Sequence, residues 1–192
     1  MSVKPSRQVE RAAATRRRIA AAARGLFASQ GYTATTLAQV AEAAGVAVQT
    51  VYAVYGSKAG ILRALREGLA SHAEADALYE RAVAEADPGR KAALMAESLR
   101  RRWEDGHDIV AIHEDAGRSD PSIRQETDQL LERRRRAFAR LTRDQRAVAL
   151  VDALTLPQVY ETLVSHHGWT PAAYEAWLAQ ALEQVLSGRH PA

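Results

Sequence analysis

From Thr15 onward the apolar side chains recur with the period of a helix. Ile19, Ala22, Ala23, Leu26 and Phe27 fall at i, i+3, i+4, i+7 and i+8, which is one face of a helix. Gly31 ends that segment. A short helix follows, with Leu37, Val40, Ala41 and Ala44 on its buried face. Thr35 or Thr36 can cap it, and Gln39, three residues after Thr36, completes a capping box. Gly45 suits a left-handed stop. A third helix spans about Val48 to Tyr55. Gly56 and Ser57 make a turn, and Ser57 can cap a fourth helix whose face is Ile61, Leu62, Leu65 and Leu69 and which continues towards His72.

Beyond that point the pattern predicts about five more helices. Asp87-Pro88-Gly89 is a breaker. Helices are expected over about 90–102 and 108–116, and a third starts at Ser119-Asp120-Pro121, with proline at the first helical position. Its face is Ile123, Thr127, Leu130, Phe138 and Leu141. Residues 142–167 are the most apolar stretch and predict one helix kinked at Pro157. Between Ala147 and Leu156 it is apolar nearly all round, so burial on several sides is expected. Thr170 and Pro171 open the last helix, with Tyr174, Trp177, Leu178, Ala181, Leu182, Val185 and Leu186 on its stripe. No β-branched run alternates with polar residues between turn signals. The expected fold is all-α, with an N-terminal three-helix unit followed by a helical bundle. Residues 1–13 show no apolar face and read as a mobile arm. The expected division is a flexible basic arm at 1–14, a small domain at 15–60 and a larger one at 61–192.

Composition narrows the function classes. The 192 residues include no cysteine, which removes disulfides, thiolate zinc sites and cysteine nucleophiles. No apolar run approaches the roughly 20 residues of a membrane span, and the charged N-terminus lacks a signal-peptide apolar region. A cytoplasmic protein without membrane contact is expected. The net charge of +3 conceals an asymmetry: residues 1–60 carry +6 and the remainder −3. Basic charge concentrated in one segment is the footprint of a polyanion-binding module, or simply a solubilising tail.

Two short helices joined by a glycine turn and packed on a first helix make a helix-turn-helix. Its second helix must offer polar side chains to base edges in the major groove. In Val48 to Tyr55, Gln49 and Thr50 face outward near the N-terminus, while Val51 and Val54 point to the core. Thr35 or Thr36 lies at a helix start, a natural phosphate site, and Lys58 lies at another. Arg16, Arg17 and Arg18 precede the unit. The stretch GYTATTLAQVAEAAGVAVQTVYAVYGSKAGIL, Gly31 to Leu62, resembles the DNA-binding signature of the TetR family of bacterial regulators. The matching features are the aromatic after glycine, the paired threonines, VAEAAGV, TVY, and an aromatic followed by GSK. The resemblance implies base contacts for Gln49 and Thr50, and phosphate contacts or recognition-helix positioning for Thr36, Tyr52, Tyr55 and Lys58. Arg16 to Arg18 would lie near the backbone or minor groove. Three positions depart from the pattern: Ala47 where a serine cap is common, Val54 where a backbone-contacting residue often stands, and Ala59 in place of an acid. Lys58 goes against the chain's own bias, which is 23 arginines to three lysines.

The resemblance further implies a homodimer, with helices 142–167 and 171–187 pairing with their twins. It also implies a near-palindromic double-stranded operator whose half-sites lie about 34–36 Å apart, and an unidentified small-molecule effector in the 80–170 region. Trp103, His107, Ile109, Val110, His113, Phe138 and Tyr160 are candidate pocket residues by position and side-chain type. Repression is the family's commoner mode. Arg133 to Arg136 reads as a solvated face, with Arg134 turned inward towards an acid in the core or pocket. Glu104-x-x-His107 has di-iron spacing but no second pair, and His166-His167 suit a helix C-terminus. No catalytic constellation, metal site or cofactor is expected. Two rival readings are a helical enzyme or ligand carrier, which needs a catalytic set, and a sequence-blind architectural DNA-binding protein, which needs a filled C-terminal core.

Overall fold

The computed structural model describes residues 7–70 and 72–189, and among these every regular element is helical. In chain order the helices are α1 (Arg7–Gln30), α2 (Leu37–Ala44), α3 (Val48–Tyr55), α4 (Lys58–Ala70), α5 (Ala73–Ala84), α6 (Pro88–Ser119), α7 (Pro121–Phe138), α8 (Gln145–Leu154) and α9 (Pro157–Tyr160). A π-helical turn (Glu161–His166) and α10 (Pro171–Leu186) complete the chain.

Two hydrophobic cores organise these elements. The headpiece core gathers Ile19, Phe27, Tyr32, Val40, Val51, Ile61 and Leu62, and recruits Ile112, Ala116 and Ile123 from α6 and α7. The body core holds Met95, Leu99, Trp103, Phe138, Val151, Tyr160, Tyr174, Leu178 and Leu182. Each fully buried aliphatic side chain contributes about 1.5–3 kcal/mol. Helix α6 serves both cores and packs against α1, α4, α5, α7, α9 and α10. It starts on Asp87, whose carboxylate accepts from the Arg90 backbone N–H at 2.8 Å, with Pro88 in the first turn. The expected division at residue 60 falls inside α4.

Several expectations are corrected. The arm expected at 1–14 falls partly outside the described residues; from Arg7 it is already α1. Arginine, glutamate and alanine there have high intrinsic helicity, and a helix anchored at Ile19 propagates backwards at little cost. The helices expected at 90–102 and 108–116 are the two arms of α6, which kinks between them at Gly106, where φ is −156° and ψ 15°. A single glycine without proline lets the hydrogen-bond ladder resume. Helix α5 was not anticipated, because its buried face is Ala75, Leu78 and Ala82 and alanines mark a stripe weakly. The kink expected at Pro157 is present, α8 and the following helical segment diverging by 46°, but α8 starts only at Gln145 rather than at 142. Its apolar stretch is not buried all round: Leu150 is 37% exposed, and Ala149 and Ala153 face outward.

Headpiece and body are joined by polar seams. Arg24 of α1 grips Asp108 of α6, with Nε donating at 2.7 Å and Nη2 at 2.5 Å. Nη2 also donates to the Asp105 carbonyl at 2.8 Å. The Tyr32 backbone N–H donates to Asp115 at 3.1 Å, and Arg63 of α4 pairs with Glu126 of α7 at 2.7 Å. Burial pushes the Asp108 carboxyl up, but the Arg24 hydrogen bond and charge together hold it below the ordinary carboxylate value. A depressed folded-state pKa contributes stability above the unfolded value of about 3.9 and loses it as pH falls through the folded value. Asp108→Asn is therefore expected to lower the urea midpoint at pH 7, and the gap to the wild type should narrow below about pH 4. An unchanged gap at pH 3 would dissociate the seam from this ion pair.

Candidate nucleic-acid interface and cavity

The helix-turn-helix is built by local rules that the sequence displays. Thr36 Oγ1 accepts from Gln39 N–H at 3.2 Å, and Gln39 Oε1 accepts from Thr36 N–H at 2.8 Å, closing the capping box. Helix α2 ends at Gly45 in the left-handed region, φ 62°. Helix α3 then departs at 106° to α2, within the range of helix-turn-helix units. Ala47 provides no side-chain cap to α3. Val51 is fully buried, with Val48, Val54 and Tyr55 beside it, so Gln49, Tyr52 and Ala53 point outward. Thr50 is half-buried. Tyr52 is 55% exposed. Arg17 and Arg18 are exposed on α1.

Other predicted residues serve the scaffold. Thr35 is buried, donating to the Gly31 carbonyl at 2.8 Å and accepting from Gln30 Nε2 at 3.1 Å. Of the two threonines, only Thr36 stays at the surface. Lys58 does not extend into solvent. Its ammonium donates to the carbonyls of Tyr32 at 2.7 Å, Thr33 at 3.3 Å and Thr35 at 2.8 Å, and stands 4.4 Å above the Tyr32 ring. Burial lowers its pKa and raises the Tyr32 phenol to about 12. Lys58 thus fastens the loop before α2 to the start of α4, which positions the two helices of the motif. Tyr55 donates to the Arg16 carbonyl at 2.9 Å under the Arg16 guanidinium, 4.8 Å from its ring, tying α3 to α1. Gly60 went unnoticed in the sequence. A Cβ there would lie 2.0 Å from the Tyr55 carbonyl oxygen, so only glycine lets α4 start against the end of α3.

The body encloses a cavity of about 410 Å³. Trp103, Ile109, Val110, His113 and Phe138 line it, as predicted, joined by Leu69, Tyr79, Met95, Leu99 and Leu130. His107 and Tyr160 are corrections: they are absent from its wall and pack on each other, ring centroids 5.3 Å apart. The break at Gly106 turns His107 away from the wall that Trp103 and Ile109 share. Tyr160 stacks on Tyr174 at 4.9 Å. Two wall residues, Arg66 and Leu69, belong to α4, the helix that begins in the headpiece. Burial, then the nearby Arg66, holds the His113 pKa below its ordinary value. Its Nδ1 donates to Thr127 at 2.9 Å, whose own hydroxyl donates to the Ile123 carbonyl. Arg134 turns inward as read, pairing with Asp152 at 2.8 Å and donating to Thr155 at 2.8 Å. Among the described residues no group of three or more His, Cys, Asp or Glu could hold a metal ion, and no single helix is long and apolar enough to cross a membrane.

Residues 19–65 match the family model of bacterial regulatory proteins of the tetR family. Over the whole chain the likeness is one of fold. The chain superposes on PfmR, a TetR family transcriptional regulator of Thermus thermophilus, with 23% identity, TM-score 0.65 and coverage of 99% of this chain and 100% of that one. The fatty acid degradation regulator FadR of Bacillus halodurans gives 18% identity and TM-score 0.66 over 98% and 100%. FadR of Bacillus subtilis, solved with stearoyl-CoA, gives 19% and 0.64 over 91% and 99%. No curated protein sequence matches the chain. The resemblance read from Gly31 to Leu62 thus holds in sequence for the headpiece and in fold throughout.

Removing the Lys58 donor leaves three carbonyls short of a partner. Lys58→Met is expected to lower stability by about 1–3 kcal/mol, measured by urea unfolding, whereas a lysine that merely awaited a phosphate would leave the midpoint unmoved.

Proposed function

We propose that the chain is a homodimeric, sequence-specific transcription regulator, a repressor that leaves its operator when a small molecule occupies the body cavity. The observation that carries this reading is the course of α4, which begins on the recognition unit at Lys58 and ends in the cavity wall at Arg66 and Leu69. Whatever enters the cavity touches a helix that also sets the attitude of the headpiece. Gln49 and Thr50 read base edges from the N-terminal turn of α3. Tyr52 and Thr36 meet phosphates, and Arg16, Arg17 and Arg18 supply sequence-independent attraction that salt weakens. Lys58 and Tyr55 act indirectly, by holding the helices. A ligand can shift the equilibrium only through a difference in affinity for the two arrangements.

The homodimer is supported by the outer face of α8 and α10. Leu150 and Trp169 are each 37% exposed, and Ala149, Ala153, Ala172, Ala173 and Ala176 lie open beside them in the chain. Small and apolar residues let a twin helix pair approach closely, and two-fold symmetry then matches a near-palindromic operator. The stearoyl-CoA bound by the Bacillus subtilis relative supports an effector with an apolar body. The open cavity weighs against the architectural reading, which needs a filled core.

Selection of random duplexes on the purified protein should enrich a near-palindrome. Gln49→Ala should relax preference at one position per half-site, at about 1–3 kcal/mol against the best base. Failure of any sequence to enrich would sink base reading. In sedimentation, Leu150→Glu is expected to convert dimer to monomer and to cost operator affinity. A variant that sediments as the wild type would place the dimer contact elsewhere.

A further inference from the structure

The cavity wall carries more positive charge than it neutralises. Of its four arginines, Arg102 is paired with Asp76 at 2.6 Å and Arg134 with Asp152 at 2.8 Å. Arg66 and Arg133 have neither an ion pair nor a hydrogen bond among the described residues. Arg133 is exposed, at the rim, whereas Arg66 is half-buried and its Nε is enclosed without an acceptor. A second donor on the wall, Trp103 Nε1, is likewise buried and unpartnered. Buried donors without acceptors cost free energy that a ligand can return. The remaining wall carboxylate, Glu114, accepts both of its bonds from Gln158. The rest of the chamber is apolar: Leu69, Met95, Leu99, Ile109, Val110, Phe138.

We infer that the effector is an amphipathic carboxylate of medium length, its apolar body in the chamber and its carboxylate on Arg66. This inference rests on the cavity being the effector site. A cavity of about 410 Å³ with an apolar wall suits the alkyl body of a free acid. Arginine is the side chain suited to such a partner, since its fork accepts a carboxylate in two-point contact. One acceptor on the wall, His113 Nε2, is also unpartnered and lies 4.0 Å from Glu126 Oε2, itself unpartnered. The charged groups acting on His113 are Arg66 and Arg63 from α4 and Glu126 from α7. A carboxylate that offsets Arg66 relieves the field opposing a proton on His113, and that proton would bridge His113 to Glu126. Because Arg66 stands on α4, the same charge pairing that holds the ligand pulls on the headpiece's helix.

The test is calorimetric titration of the full chain with decanoate, 1-decanol, decylamine and decanoyl-CoA, on wild type, Arg66→Gln, Arg66→Lys and the cavity-filling Leu99→Trp. Decanoate should bind wild type about tenfold or more tighter than decanol, with decylamine weakest. Arg66→Gln should bring decanoate down to decanol's affinity while leaving decanol itself unchanged, which also reports an intact fold. Arg66→Lys should recover part of the loss. Equal binding of decanol and decanoate by wild type, with both abolished in Leu99→Trp, overturns the acid but keeps the cavity. Decanoyl-CoA binding more tightly than decanoate and indifferent to Arg66→Gln also overturns it, because the charge would then lie outside the chamber. If no alkyl compound binds wild type, the cavity reading falls and the acid falls with it.

Discussion

The arrangement turns on one close contact, Leu69 of α4 seated over the bare Gly106 of α6. A Cβ there would meet Leu69 Cδ1 at 2.2 Å. A side chain there would force Leu69 into another rotamer, and the contact lies where the α6 backbone leaves helical geometry. Upstream of the break α6 packs in the body core through Met95, Leu99 and Trp103. Downstream it enters the headpiece core through Ile112 and Ala116. Leu69, the side chain that uses the space, also faces the cavity.

Around that crossing, polar bonds hold what the cores leave free. Arg24 reaches Asp108 and the Asp105 carbonyl on either side of Gly106. Arg63 reaches Glu126 across α4 and α7. These partly exposed pairs add little net stability individually, but each is directional, and together they set the angle between headpiece and body. Hydrophobic contact supplies the cohesion, and the charged pairs choose among the orientations it permits.

The sequence exposed the headpiece almost completely, because its signals are local. A capping box, a left-handed glycine and i, i+3, i+4 spacing are all read within a few residues, and they placed α2 and α3 at their observed limits. The body was less legible. Its bends near Gly106 and Pro157 were expected, but α5 hides in an alanine stripe. For the candidate residues, helical phase was enough to orient Gln49 and Tyr52. It could not show that Lys58 bends back onto three carbonyls or that Thr35 is buried, since both depend on a loop's path. His107 and Tyr160 were named by position and side-chain type, which cannot show that they pack on each other beside the cavity wall rather than in it. Arg66 offered no signal at all, because an arginine lacking a partner is recognised only once its neighbours are known.

The division of α6 between two cores has a consequence for cooperativity. Each half is anchored by its own buried cluster, so the headpiece and the body are candidates for separate cooperative units, joined by α6 together with α4 and α7, which also reach both cores. Amide exchange along α6 would then be slow in both anchored halves and faster at the break, so that one helix reads as two protected blocks. Because α4 and α7 also reach both cores, any change of angle at Gly106 must be shared by three helices, and the headpiece would swing as one body.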